Sequence, residues 1–204
     1  MSDSASVSGF RIGIDVGGTK CLGVVLSTTG EVLMALKRPT PRGDGSLPML
    51  ITTLTEMVTA FEAECGVIDT VGVGVPGLVT HDGVLRASPN LDGVADLDIA
   101  HELRSTIRQP VKVGNDATCG ALAEWKLGAA AGTRDMMLVT LGTGIGGGII
   151  AGGKLQQGAN GFAGEYGHMV VDPDGAPCPC GRRGCWERYA SGSGLARLAR
   201  EYAI

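Results

Sequence analysis

Residues 10–16, FRIGIDV, alternate and run apolar as a buried strand does, and Gly17 and Gly18 end the run in a turn. A second apolar stretch near 22–27 and a third near 31–37 are separated by Thr28, Thr29 and Gly30, which predicts two further strands. The polar segment PTPRGDGS, residues 39–46, reads as a loop. Helical spacing follows it: Leu47, Leu50, Ile51, Leu54, Met57, Val58 and Phe61 fall on one face, and Gly66 stands where that helix would end. VGVGVPG (71–77) and VKVG (111–114) read as strands running into turns, with a helix between them over 97–108. A helix over 117–130, strands at 136–141 and 147–151, and one last helix from about 186 complete the pattern. Strand, helix, strand in this order predicts an α/β fold.

A weak internal repeat refines that expectation. Asp15-Val-Gly-Gly-Thr-Lys20 leads into LGVVLS, and Leu141-Gly-Thr-Gly-Ile-Gly-Gly-Gly148 leads into IIAGG. Both read as strand, glycine turn, strand. Two such units suggest two duplicated domains, 1–116 and 117–204, facing each other across a cleft.

Composition narrows the class. The chain has 204 residues, 44% of them apolar, and a net charge of -4, not basic enough to bind nucleic acid through phosphates alone. No run of about 18 apolar residues predicts a membrane span. The N-terminus carries no basic stretch followed by an apolar core, so a cytoplasmic location with reduced thiols is expected. Cys21, Cys65 and Cys119 are scattered and read as small apolar residues.

The other three cysteines are grouped. His168, Cys178, Cys180 and Cys185 fall close together, flanked by Glu165 and Glu187. One imidazole and three thiolates form a complete tetrahedral set for Zn²⁺ with no position left for a reacting water, which predicts a structural ion. Ordinary buried or disulfide-bonded cysteines are the alternative. Gly181 and Gly184 favour the ion, because they let the backbone fold tightly around it.

Gly142, Gly144 and Gly147 satisfy G-x-G-x-x-G, but the dinucleotide fingerprint needs a helix next, and Ile149, Ile150 and Gly152-Gly153 predict a β-hairpin instead. No G-x-x-x-x-G-K-[ST] occurs. Glycine turns can still offer backbone N–H groups to phosphate. One such turn lies beside Asp15 and Lys20 and another beside Thr143; plain sharp hairpins are the alternative for each. Asp15 could orient Mg²⁺ through water. Asn115-Asp116 follows a short strand and precedes a helix, placing a carboxylate at a strand's carboxyl end, where open α/β sheets bind ligands. Asp116 could equally be a helix N-cap. Glu165 and Glu187 could be a solvated loop residue and a first-turn helix charge.

Taken together, Asp15–Lys20, Gly74-Val-Pro-Gly77, Ser88-Pro-Asn90, Asn115-Asp116-Ala117, Leu141–Gly148, Gly164-Glu-Tyr-Gly-His168 and Cys178–Glu187 resemble the ROK (repressor, open reading frame, kinase) family, and within it the glucokinases. The resemblance runs from residue 12 onward. It implies an actin-like (ribonuclease H-like) two-domain sugar kinase fold and phosphorylation of glucose at the 6-hydroxyl by ATP. It assigns Asp116 as the general base and Asn90, Asn115, Glu165, His168 and Glu187 to the sugar. Gly17, Gly18, Thr19, Lys20, Gly142, Thr143 and Gly144 would hold phosphates with Mg²⁺ bridging. His168 would ligate zinc through one ring nitrogen and face the sugar with the other. Dimers or tetramers are implied as well.

Family members usually continue well beyond this chain's last residue. The second domain is therefore expected to be incomplete, and the 204-residue form alone unstable or inactive. The DNA-binding repressors of the family carry a helix-turn-helix domain ahead of the kinase-like part, and only about eleven residues precede the start of the resemblance here. A polyphosphate-using glucokinase fits the Cys/His segment poorly. N-acetylglucosamine, N-acetylmannosamine, mannose or fructose are alternative substrates, and a non-catalytic sugar-binding module is the remaining one.

Overall fold

Three apolar runs separated by short turns form an antiparallel meander of β1 (Phe10–Val16), β2 (Lys20–Leu26) and β3 (Val32–Pro39). The computed structural model describes residues 9–88, 91, 93 and 95–203. After β3 the chain enters α1 (Ser46–Cys65), whose Leu50, Leu54, Met57, Val58 and Phe61 are buried, as their spacing predicts. Gly66 ends the helix at φ 83°, its N–H donating to the Glu62 carbonyl. β4 (Ile68–Val75) then pairs with β1 in parallel, setting Asp15 opposite Gly74.

Three short strands follow: β5 (Leu78–Val79), β6 (Val84–Ala87) and β7 (Leu97–Asp98), which make a small antiparallel sheet. α2 (Ile99–Thr106) is capped by Asp98, whose carboxylate accepts the His101 N–H at 2.8 Å. β8 (Val111–Asn115) pairs in parallel with β4, completing a sheet of order β3-β2-β1-β4-β8. One core joins this sheet to both helices. Ile12, Ile14, Val16, Val25, Val71, Val73 and Val75 meet the buried face of α1 and Ile99 and Leu103 of α2.

The chain divides into two compact units between Asp116 and Ala117. From that junction run α3 (Asp116–Leu127), then β9 (Met136–Leu141), β10 (Ile145–Ala151) and β11 (Lys154–Gln156), which form an antiparallel sheet of order β11-β10-β9. Its three strands repeat the order of β1, β2 and β3. A 3₁₀ turn (Tyr166–His168), α4 (Glu187–Ala190) and α5 (Gly192–Tyr202) follow.

The α3 helix sits hard against the second hairpin for a steric reason. Gly146 and Gly148 share one face of β10, where a Cβ on Gly148 would stand 2.5 Å from the Ala121 Cβ and one on Gly146 2.9 Å from the Ala117 Cβ. On the opposite face a Cβ at Gly147 would meet the Tyr166 ring at 2.5 Å. These glycines serve close packing.

Several boundaries depart from the sequence expectation. β2 starts at Lys20 and β10 at Ile145, β4 stops at Val75, and α3 stops at Leu127. β5, β6, β7 and β11 have only two to four residues each, too short for alternation to register. The single last helix is two: Ser191 takes extended backbone (φ -84°, ψ 164°) and its hydroxyl accepts the Gly194 N–H at 3.0 Å, starting α5 afresh. Cys21 is buried as expected of an apolar residue, whereas Cys119 is exposed on α3. Among the described residues no helix is long and apolar enough to cross a membrane.

Phe61 is fully buried where α1 meets the sheet. Phe61→Ala is expected to cost about 3–5 kcal/mol, read as a lower urea midpoint with an unchanged denaturant slope.

Candidate functional site

In the first unit, parallel pairing decides what lies together. β1, β4 and β8 run the same way, with Asp15 opposite Gly74 and Gly74 opposite Gly114. Their carboxyl ends therefore share one edge of the sheet. Two strand spacings, about 10 Å, separate the backbone of Asp15 from that of Gly114. The glycine turn leaves this edge from β1, the Pro76-Gly77 turn from β4, and Asn115-Asp116 from β8, where Asp116 is the first residue of α3. The Asn115 Nδ2 donates to the Gly77 carbonyl at 3.1 Å, tying two of the three segments together.

The turn at 17–20 is closed by the Gly17 N–H donating to the Lys20 carbonyl at 2.8 Å. Two residues of the polar loop hold it from outside: the Thr40 hydroxyl donates to the Gly17 carbonyl at 2.7 Å, and the Arg42 Nε donates to the Gly18 carbonyl at 3.0 Å. Sequence reasoning missed both residues. Their position follows from the β2–β3 register, which pairs Lys20 with Pro39 and sets Thr40 beside the turn. Burial lifts the Asp15 carboxyl above its ordinary range; the Lys20 ammonium pulls it back only in part. The side chain itself still reaches solvent, so the effect comes from the protein mass around the strand end rather than from enclosure.

In the second unit His168, Cys178, Cys180 and Cys185 place one ligand atom each within 4.8 Å of one another. The backbone explains why. Cys178 donates its N–H to the Arg182 carbonyl at 2.8 Å and accepts one from Gly181 at 3.0 Å, which curls the Cys178–Arg182 segment. Cys185 pairs with Val170, two residues past His168, and the Trp186 N–H donates to the Met169 carbonyl at 2.8 Å. Gly184 must be glycine: φ is 64°, and a Cβ would fall 1.5 Å from the Asp172 carbonyl oxygen.

The spacing fits a metal ion and not a disulfide. Cys180 Sγ and Cys185 Sγ are 3.6 Å apart, and Cys178 Sγ and His168 Nδ1 are also 3.6 Å apart. A disulfide needs about 2.0 Å. Bond lengths of about 2.3 Å to sulfur and about 2.0 Å to nitrogen give tetrahedral edges of roughly 3.6–3.8 Å. The thiols are shifted in the way a cation would relieve. Burial, and then the neighbouring Cys180 and Cys178, push the Cys185 thiol up to about 12. At Cys180 burial also raises the thiol, but hydrogen bonds from Arg182 and the two cysteines, with the Arg182 charge, outweigh it and leave a lowered value. A cation held between them would favour the thiolate of Cys185 that burial disfavours.

His168 turns Nδ1 to Cys178 and Nε2 to Glu165, whose Oε2 lies 3.8 Å away. Glu187, two residues past Cys185, accepts the Ile145 N–H on Oε2 at 2.7 Å, so the cluster is coupled to the mouth of the β9–β10 hairpin. That hairpin turn is also gripped by the start of α5. Gly192 N–H donates to the Gly142 carbonyl at 2.8 Å, and Ser193 N–H to the Thr143 carbonyl at 3.2 Å. Gly142, Thr143 and Gly144 thus form a hairpin turn, with no dinucleotide-type helix after it. Of the remaining sequence-predicted site residues, Asn90 lies outside the described residues.

A mixed sheet carrying glycine-turn and Asn-Asp segments on its carboxyl edge, followed by a second unit that repeats its first three strands, is the actin-like fold of sugar kinases. The chain belongs to the ROK family, whose family model matches residues 11–203. It is 41% identical over 197 residues to a glucokinase of Halalkalibacterium halodurans, covering 93% of this chain and 59% of that protein. It is 38% identical over 199 residues to the N-acetylgalactosamine kinase AgaK of Shewanella sp. (94% of this chain, 64% of the relative). Among solved structures it is similar to a ROK family glucokinase from Streptomyces griseus in complex with glucose and AMPPNP. That match has a TM-score of 0.84 and 38% identity, over 96% of this chain and 61% of that one. The chain therefore spans about three fifths of the length of these relatives.

The Glu187 contact makes a test. Glu187→Ala, which strands the Ile145 N–H, is expected to cost about 1–3 kcal/mol in thermal unfolding. Glu187→Gln keeps an acceptor oxygen and should unfold within about 0.5 kcal/mol of the parent chain.

Proposed function

We propose that this chain carries the sugar- and phosphate-handling residues of an ATP-dependent hexose kinase, with glucose as the substrate and glucose 6-phosphate as the product. The observation that carries the proposal is the shared sheet edge, with the glycine turn beside Asp15 on one strand and Asn115-Asp116 two strands away. Phosphoryl transfer needs this juxtaposition: amides and a cation for the phosphates, and a carboxylate for the attacking hydroxyl.

In this reading Asp116 takes the proton of the sugar 6-hydroxyl. The 6-oxygen bonds to the γ-phosphorus of ATP as the bond from that phosphorus to the β–γ bridging oxygen breaks, and ADP leaves with the electron pair. Such a base contributes about 10²–10⁴ in rate. Glycine-turn amides and Lys20 take phosphate charge, and Asp15 would hold Mg²⁺ through water. Asn115, Glu165, His168 and Glu187 would take sugar hydroxyls, since carboxylates, amides and imidazole suit groups that both donate and accept. Asn90 is assigned the same role by its motif alone. Zn²⁺ on His168, Cys178, Cys180 and Cys185 would fix the loop that carries Glu165 and Glu187. That Glu187 already accepts the Ile145 N–H supports a positioning role beside any sugar contact.

A second reading, an N-acetylated amino sugar as substrate, is favoured by the AgaK relative at 38% identity. The two readings differ at the sugar's 2-position.

ADP release with ATP, Mg²⁺ and a panel of sugars separates them. Glucose should give the highest kcat/KM, and a preference for an N-acetylhexosamine would replace the first reading with the second. Asp116→Asn should lower turnover by about 10²–10⁴ while the sugar Kd stays within about twofold. Equal turnover in that variant removes Asp116 from the mechanism. A chain that binds glucose yet releases no ADP would assign the donor pocket to residues outside 1–204.

Metal content is a separate check. Elemental analysis should find about one zinc per chain, lost in Cys185→Ser together with sugar affinity. A metal-free chain with full sugar affinity would end the zinc proposal.

A further inference from the structure

The turn at 17–20 has its carbonyls engaged on one side. The Thr40 hydroxyl donates to the Gly17 carbonyl at 2.7 Å, and Arg42 donates to the Gly18 carbonyl through both Nε, at 3.0 Å, and Nη2. The Thr40 N–H donates to the Thr19 carbonyl at 3.1 Å. Among the described residues every peptide bond is trans. In a planar trans peptide the C=O and the N–H of the next residue point in opposite directions. Capturing the Gly17 and Gly18 carbonyls on the loop side therefore turns the N–H groups of Gly18 and Thr19 to the other side. The second glycine turn is built the same way: Gly192 and Ser193 capture the Gly142 and Thr143 carbonyls, and the N–H groups of Thr143 and Gly144 face away from α5.

We propose that Thr40 and Arg42 are positioning residues for phosphoryl binding: by gripping the Gly17 and Gly18 carbonyls they aim the Gly18 and Thr19 amides at phosphate oxygens. This inference rests on the kinase reading of the turn. Preorganised amides cost no reorganisation when the phosphate arrives, and a glycine-rich turn left to itself would sample many orientations. The two side chains suit this role. Thr40 is buried beside Cys21, with Oγ1 3.6 Å from its Sγ, so the hydroxyl is held in place. Arg42 reaches one carbonyl with two donors of a rigid fork, and it adds a fixed positive charge beside a site for an anion.

The test is calorimetric titration of magnesium ADP into the full chain and its variants, with glucose affinity measured in parallel. Thr40→Val, which keeps the shape and removes the donor, should weaken ADP binding about tenfold and leave glucose affinity unchanged. Thr40→Ser should restore ADP binding to within about twofold, a rescue that general destabilisation would not produce. Arg42→Met should weaken ADP about tenfold, and Arg42→Lys should not rescue it, because one ammonium cannot reproduce the fork. Parent protein that binds ADP, with variants that bind it equally well, overturns this inference and leaves the kinase reading intact. So does an equal loss of glucose and ADP binding. Parent protein that binds glucose but no ADP overturns this inference and assigns the donor pocket to residues outside 1–204; parent protein that binds neither overturns the kinase reading with it.

Discussion

Parallel pairing of β1, β4 and β8 is the constraint on which the first unit's chemistry depends. A parallel ladder cannot be closed by a tight turn; each crossover needs a longer connection, which α1 and the β5–α2 segment supply. In return, all three strands end at the same edge. Each end then continues into a different kind of segment, with a glycine turn after β1, Pro76-Gly77 after β4, and Asn115-Asp116 after β8. The buried valines and isoleucines of these strands, packed under α1 and α2, are what hold the three ends at fixed spacing. A one-residue slip of β8 would turn each of its side chains to the other face of the sheet and dissolve the arrangement.

The second unit solves a different problem with less apolar material. Its buried large apolar side chains are few, chiefly Ile145 and Ile150, and its strand β10 is mostly glycine on the face that meets α3. The long segment between β11 and α4 has no sheet to pair with. Cross-links of other kinds take the place of a core there: paired backbone at Val170 and Cys185, and the Tyr189 hydroxyl bonded to Asp172 and to the Ala176 N–H; the four Cys/His side chains converge in the same segment. Cys185 lies two residues from Glu187, whose carboxylate accepts the Ile145 N–H, so one short stretch of chain links the cluster to the hairpin mouth.

Much of this was legible in the sequence, for identifiable reasons. The α1 face was readable because a 20-residue helix repeats its apolar period five times, and β1 to β3 because glycine turns separate them. The Cys/His set was readable because all four ligands lie on one short segment. The hairpin after Gly142 was readable because β-branched residues follow it where the dinucleotide motif demands a helix. Short strands were not readable, having too few residues to show a period. The break at Ser191 does carry a local signal, the poor helix formers Ser191-Gly192-Ser193-Gly194, which apolar spacing alone does not register. Thr40 and Arg42 escaped for a deeper reason: their partners are backbone carbonyls about twenty residues away, brought close only by the register of β2 on β3. No side-chain pattern encodes such a contact.

The two glycine-rich segments show why composition alone misleads about glycine. In the run from Gly142 to Gly148 the residues divide by position. Gly146, Gly147 and Gly148 are small because Ala117, Ala121 and Tyr166 occupy the space a side chain would need. Gly142 and Gly144 lie in the turn, where the Gly142 carbonyl is held by α5 and a Cβ on Gly144 would collide with the Glu187 carboxylate at 2.5 Å. So a single motif contains packing glycines and turn glycines side by side, and only the turn glycines border groups able to meet a ligand. At the first turn a Cβ on Gly17 would meet the Lys20 carbonyl oxygen at 3.1 Å, and the Gly17 and Gly18 carbonyls are gripped from outside. What the two turns share is therefore not their glycine count. It is the capture of their carbonyls on one side, which leaves the amides of each turn directed to the other.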